Sequence, residues 1–261
     1  MQEGRQTLGV TSWCLPARGA DGLVWAHENG FGSLHLDSDD FDDGSASILR
    51  RMADSRGIIL AGLSVVALER VGLRGKSARD AVERAVEHAV ALGVGYVYLP
   101  AFGRAALRNS HDIRAMSRLL DLALATSAGP GLTIASENTL DPGGLQTLLG
   151  SAPIDRLELL FDTQNPVVAG LNPLALIDVA ACHIRSFVHV KDGDGGLGEA
   201  RLGSGSSRVW ASVIALLEAG FSGTFVLESD YRVNGRHRAK KDQDRLRRVV
   251  AGHKRAEKRK V

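Results

Sequence analysis

Four short apolar runs in the second half of the chain each lead into a side chain that can ligate a cation or carry a proton. Leu132–Ala135 leads to Glu137, Leu157–Phe161 to Asp162, Phe187 and Val188 to His189, and Phe225–Leu227 to Glu228. Two glutamates, one aspartate and one histidine form a mixed oxygen–nitrogen set that suits one divalent ion such as Mn, Mg, Co or Zn. The set contains no cysteine, which argues against a structural zinc. The chain's two cysteines, Cys14 and Cys182, are too few for a disulfide framework or a four-thiolate site. A single carboxylate at a strand end more often caps a helix or bonds a loop, so the weight lies in the repetition on consecutive runs. Lys191, two residues after His189, leaves the strand on the same side. It can neutralise an oxyanion or phosphate there, or pair with a neighbouring carboxylate. Trp13 closes the first apolar run and can floor a sugar ring or serve as a rim aromatic. His35, inside the second run, reads as a hydrogen-bonded core histidine, Asp37 ends that run, and Asn138 reads as a helix cap.

Such residues can meet only if the elements carrying them share one end. Eight apolar runs, starting at Leu8, Ser33, Ile58, Tyr96, Leu132, Arg156, Ser186 and Thr224, have strand length. Helical patterns separate them. In the segment from Ser77, Ala81, Val82, Ala85, Val86, Ala89 and Val90 make one apolar face, with Ser77 as the expected N-cap and Gly93 as the stop. Further helices are expected from Ile113, at Pro173, from Ser206 to Gly220, and in the basic segment 245–260. Strands alternating with helices predict a single-domain α/β fold, a (β/α)8 TIM barrel over residues 1–261, with a doubly wound open sheet as the other arrangement. In a barrel the four candidate ligands converge on the mouth at the carboxyl ends of the strands.

The chain has 261 residues, 44% hydrophobic and 24% charged, as in ordinary globular domains. No run of about 18 apolar residues is present, so no membrane span is expected. The first residues lack a charged-then-apolar leader pattern, so a cytoplasmic location is the expectation. The formal net charge of +2 hides an asymmetry, because residues 232–261 hold 13 Lys and Arg against 3 Asp and Glu. This basic C-terminal helix or tail has no aromatic residue after Tyr231. It lacks the stacking groups of a single-strand binder, and nucleic acid is not the expected partner.

The order Glu, Asp, His, Glu resembles the xylose isomerase-like TIM barrels, in particular the sugar isomerase/epimerase branch that includes D-tagatose 3-epimerase and hydroxypyruvate isomerase. The resemblance is carried by SENT at Ser136–Thr139, FDTQNP at Phe161–Pro166, HVKD at His189–Asp192, LES at Leu227–Ser229 and the turn LGSGSSRVW at Leu202–Trp210. It implies one divalent metal held by Glu137, Asp162, His189 and Glu228. It also implies that Glu137 and Glu228, on opposite faces of a bound sugar, move the proton through a metal-stabilised enediolate. A small sugar-like substrate is then expected against Lys191, Trp13 and Asn165, and homo-oligomers are common in the family. The sequence also departs from that branch. Asn165 stands where the epimerases carry a histidine, the region of their arginine is the glycine-rich stretch 192–196, and Gly143 replaces a glutamate. A related metal-dependent dehydratase, or a non-catalytic binding barrel, are the alternative expectations. The related endonuclease IV needs extra histidines that ARLGSGS and Asn165 do not supply.

Overall fold

A computed structural model describes residues 7–42, 44–127, 131–151, 156–257 and 259; the two ends of the expected domain and residues 258 and 260 of the expected basic helix lie outside them. The strands are β1 (Gly9–Thr11), β2 (Ser33–Asp37), β3 (Ile59–Ser64), β4 (Tyr96–Pro100), β5 (Thr133–Glu137), β6 (Leu157–Leu159), β7 (Phe161–Asp162), β8 (Phe187–Val190) and β9 (Thr224–Leu227). They form one sheet in the order β6-β5-β4-β3-β2-β1-β9-β8-β7, and every pairing is parallel. β6 and β7 are two halves of one run interrupted at Leu160. One half pairs with β5 and the other with β8, so the run joins both edges of the sheet. The (β/α)8 barrel expected from the sequence is therefore present, and the open sheet is not.

Helices cover the outside: α1 (Gly19–Glu28), α2 (Ala46–Arg56), α3 (Ala67–Val71), α4 (Lys76–Leu92), α5 (Ser110–Thr126), α6 (Pro142–Leu149), α7 (Asn165–Val168), α8 (Pro173–Ala180), α9 (Val209–Glu218) and α10 (Gly235–Glu257). Local chemistry sets several starts. The Asn109 side chain accepts from His111 N and Asp112 N at α5, Asp141 from Gly144 N at α6, and Asn172 from Leu174 N at α8. Pro142 and Pro173 occupy the first turns of their helices, where the missing N–H costs nothing. α4 departs from the sequence expectation at its start, because Gly75 and not Ser77 is its N-cap residue. Its buried face is Ala78, Val82, Ala85, Val86, Ala89 and Leu92, and Val90 is 70% exposed. A stripe through residues 78, 82, 85, 89 and 92 follows the helical repeat more closely than one through 81 and 90. Gly93 ends the helix in the left-handed region at φ 65°, as expected.

The main core lies between strands and helices. A second cluster, Tyr96, Tyr98, Ala135 and Leu160 with Trp13 and Phe187 against it, fills the barrel axis. His35 packs edge-on to Phe187 at 4.7 Å between ring centroids, so aromatic rings form the floor under the mouth.

Candidate active site

The register of the last strands assembles the site. Asp162 pairs with His189 across β7 and β8, and Glu228 follows the Val190–Leu227 pair of β8 and β9. Glu137 is the last residue of β5. One ligand atom from each of Glu137, Asp162, His189 and Glu228 lies within 4.8 Å of all the others, and all four residues are buried. The residues expected to share one barrel end thus stand together.

Each is held by a named neighbour. Asp162 Oδ1 accepts from Gln164 N at 2.7 Å and Asn165 N at 2.6 Å, which starts α7. Trp13 Nε1 donates to Glu228 Oε1 at 2.8 Å, and Asn165 Nδ2 donates to Glu137 Oε1 at 3.1 Å. Trp13 stands just past β1 in a 3-10 turn, Ser12–Cys14, with its ring edge-on to His189 at 6.0 Å. The Lys191 ammonium reaches Glu228 Oε2 at 2.9 Å and Asp162 Oδ2 at 3.4 Å. Of the two roles open to it in the sequence, the carboxylate pair is the one formed here. His189 Nδ1 faces Glu228 Oε2 at 3.3 Å and Glu137 Oε1 at 3.8 Å.

The other nitrogen of His189 has a partner that sequence reasoning placed only as a hydrogen-bonded core histidine. His35 Nδ1 lies 3.1 Å from His189 Nε2. Burial, and then the charge of His189, push His35 well below the usual histidine range, so it stays neutral. A neutral His35 accepting from Nε2–H turns the Nδ1 of His189 towards the carboxylates. The His35 ring fits because residue 62 is glycine; a Cβ there would lie 2.8 Å from its Nε2. Asn138 does not cap α6. It accepts from Leu140 N and donates to Ser136 Oγ, and Asp141 is the cap.

Charge is concentrated here. Burial opposes ionisation of Glu228, but Lys191 and His189 override it and hold the carboxyl below the usual range. Burial raises Asp162 to about 7, against the pull of Lys191. Burial also disfavours the charged form of His189, yet Glu228 and Glu137 raise it to about 10.

The cluster opens into a mouth cavity of about 350 Å³ whose lining includes Trp13, Asn165 and Lys191 beside Glu137 and Glu228. All three residues expected on the substrate side therefore border it. Glu69 and Arg18 also line it, and the sequence reading missed both. Glu69 lies in the short helix α3 beyond its strand, and Arg18 in the loop before α1, where no periodic signal marks them.

The donor set fits a divalent cation. Asp162 Oδ2 and His189 Nδ1 are buried with no hydrogen-bond partner among the described residues. Lys191 stands 3.4 Å from the former and Glu228 Oε2 3.3 Å from the latter, and a divalent cation in place of the Nδ1 proton would give both atoms a closer partner.

The glycine-rich stretch after β8 is organised around its own carboxylates. Asp192, fully buried, accepts from the backbone N–H groups of Gly193, Gly203, Gly205 and Ser207 at 2.8–3.1 Å. Glu199 accepts from Asp194 N at 2.5 Å.

A parallel barrel with a buried carboxylate–imidazole cluster at its mouth defines a class before any comparison. The model of the xylose isomerase-like TIM barrel family matches residues 23–249, and the chain belongs to that family. A curated relative from an Actinoplanes species, 2-epi-5-epi-valiolone 7-phosphate 2-epimerase, is 29% identical over 265 residues, 97% of this chain and 98% of its own. A xylose isomerase domain protein from Planctomyces limnophilus superimposes with a TM-score of 0.72 at 20% identity, covering 96% of this chain and 98% of its own. The IOLI protein with a bound zinc atom does so at 0.69 and 16% identity, covering 95% and 98%. These structural likenesses show the shared fold.

Proposed function

We propose that the protein is a divalent-metal-dependent isomerase or epimerase of a small polyhydroxy-carbonyl compound, with Glu137 and Glu228 as the proton-transferring groups. The observation that carries the reading is the buried cluster in which both glutamates face one imidazole, at 3.8 and 3.3 Å. Isomerase-class chemistry is supported by the Actinoplanes epimerase, which matches this chain almost end to end.

Glu137, Asp162, His189 and Glu228 would hold one Mn, Mg, Co or Zn ion, which when bound supplies charge stabilisation to a substrate carbonyl oxygen. The chain's own residues do the rest. Trp13 fixes one oxygen of Glu228 and Asn165 fixes one oxygen of Glu137, so each carboxylate presents its other oxygen in a set direction. Lys191, 2.9 Å from Glu228 Oε2, keeps Glu228 ionised so that it can take a proton from the carbon beside the carbonyl. Glu137 returns a proton from its own side. Return to the opposite face of the same carbon inverts it, and return to the neighbouring carbon interconverts aldose and ketose. The barrel floor of aromatic rings keeps bulk water from below.

The test is proton exchange. Metal-loaded protein in deuterated water, given a panel of ketoses, aldoses and their phosphates, should place one deuterium at the carbon next to the carbonyl of its substrate. Glu137→Gln and Glu228→Gln should each lower that rate by about 10²–10⁴-fold. Exchange that survives in both variants would remove the glutamates from the mechanism. Loss of water without exchange would mean a dehydratase.

A further inference from the structure

A second cavity, of about 590 Å³, opens beside the segment that follows β8 and shares no lining residue with the mouth. The stretch 197–201 borders both, since Leu197 lines the mouth and Arg201 lines this rim cavity. Arg238, also in the cavity wall, fixes that stretch. Its guanidinium donates to the carbonyl oxygens of Gly198 and Ala200, and to that of Asp230 at 3.0 Å. Gly198 packs so closely that a Cβ there would lie 2.7 Å from the Glu228 carbonyl oxygen. The wall between the two cavities is therefore backbone held in one place.

The rim cavity is cationic. Arg201, Arg236, His237, Arg238 and Lys241 line it, and among the described residues Asp242 is the one acid that does. Asp242 is turned inward: its side chain is 1% exposed and accepts from Tyr231 Oη at 3.3 Å and Leu202 N at 3.4 Å. Arg236 is paired with Glu28 at 2.7 Å. Arg201 and Lys241 differ. Both are exposed, and neither has a hydrogen bond or ion pair among the described residues. Like charges gathered round one cavity repel, and an anion between them removes the repulsion. Two free cations match the charge of a phosphate dianion, whose oxygens a guanidinium fork takes in pairs. The place fits as well. Arg201 follows β8, the seventh strand of the barrel, and Arg236–Lys241 follow β9, its eighth. Barrel enzymes often take a phosphate between these two segments. No aromatic side chain lines the cavity, so bases have nothing to stack on.

We propose that this rim cavity binds a phosphoryl dianion, as the free ion or as a monoester, between Arg201 and Lys241. The site stands apart from the metal cluster and does not depend on the isomerase reading. It is tested by titration calorimetry on the full chain, desalted after loading with Mn²⁺. The probes are inorganic phosphate, glycerol 2-phosphate and succinate at matched ionic strength. Wild-type protein should bind about one phosphate or phosphate ester per chain, and more tightly than succinate. Arg201→Gln and Lys241→Gln should each weaken that binding by about tenfold, and the double variant by about a hundredfold. Both side chains are exposed and unpaired, so the variants should keep the wild-type Mn²⁺ content and phosphate-free melting temperature. Saturating phosphate should raise the melting temperature of the wild type and not of the double variant. A tighter ester than free ion would identify a phosphorylated metabolite as the occupant, and the reverse would identify inorganic phosphate; each order supports the site. Arg18→Gln, at the mouth, should leave the affinity unchanged. No saturable binding of either phosphate, equal binding of succinate, an affinity unchanged in the double variant, or a loss confined to Arg18→Gln would overturn the proposal.

Discussion

His189 sits between a neutral imidazole and two carboxylates, and its protonation couples metal to pH. In the metal-free protein Glu228 and Glu137 raise it to about 10, against burial. A raised folded value stabilises fully below the unfolded value of about 6.5, and that stability is lost as pH climbs towards 10. Metal-free protein should therefore melt progressively lower between pH 7 and 10; a flat profile would contradict the charged imidazole. A metal ion needs the neutral ring and an ionised Asp162, so binding at pH 7 should release between one and two protons per ion, one from His189 and part of one from Asp162, and should tighten as pH rises. Calorimetry in buffers of different ionisation enthalpy reads that release directly. At Trp13, Phe keeps the ring and loses the N–H donated to Glu228. Trp13→Phe should lower turnover by about tenfold with metal content unchanged, a cost of one hydrogen bond to a charged group. The four residues of the cluster were legible because each closes an apolar run, which is a local signal. His35 was legible as a core histidine, but its partner lies 154 positions away and no pattern announces that meeting.

At the scale of elements, two glycines hold the site in shape. Gly62 on β3 leaves room for the His35 ring. Gly62→Ala should push that ring, and through it His189, weakening metal binding while the barrel still folds; metal titration of the variant checks this. Asp192 gathers four backbone donors of the stretch after β8, and Gly203, at φ +80°, lets that stretch turn. Asp192→Ala strands the buried N–H groups of Gly193 and Ser207 and should cost about 2–4 kcal/mol in urea unfolding. The alternation of strand and helix was plain in the sequence, since period and length separate the two. Boundaries were less so. Trp13 falls in a 3-10 turn beyond a three-residue strand, and the sixth apolar run breaks at Leu160 to close the barrel. Both follow from barrel geometry, which a local window does not contain.

At the scale of the molecule, the basic segment is built into the fold along one face. α10 buries Ala239, Asp242, Gln243, Leu246 and Val250, spaced as a helix facing the core, and its lysines and arginines point largely outward. Asp242 is buried with Tyr231 Oη at 3.3 Å and Arg238 Nε at 3.7 Å. Deleting residues 235–261 should therefore unfold the chain, as read by circular dichroism, and not merely lower its charge. Composition showed the basic excess but not this face, because the excess masks the apolar spacing. Among the described residues no helix is long and apolar enough to cross a membrane. The fold gathers a cluster of acids at the mouth and carries much of the basic excess on an outer helix, and what those acids hold decides the chemistry. Elemental analysis of protein incubated with Mn, Mg, Co or Zn and then desalted tests this most directly, beside a His189→Ala, Glu228→Gln double variant. The account predicts about one ion per chain in the wild type and none in the folded variant. No bound ion from any of the four, or an equal content in the variant, would contradict it.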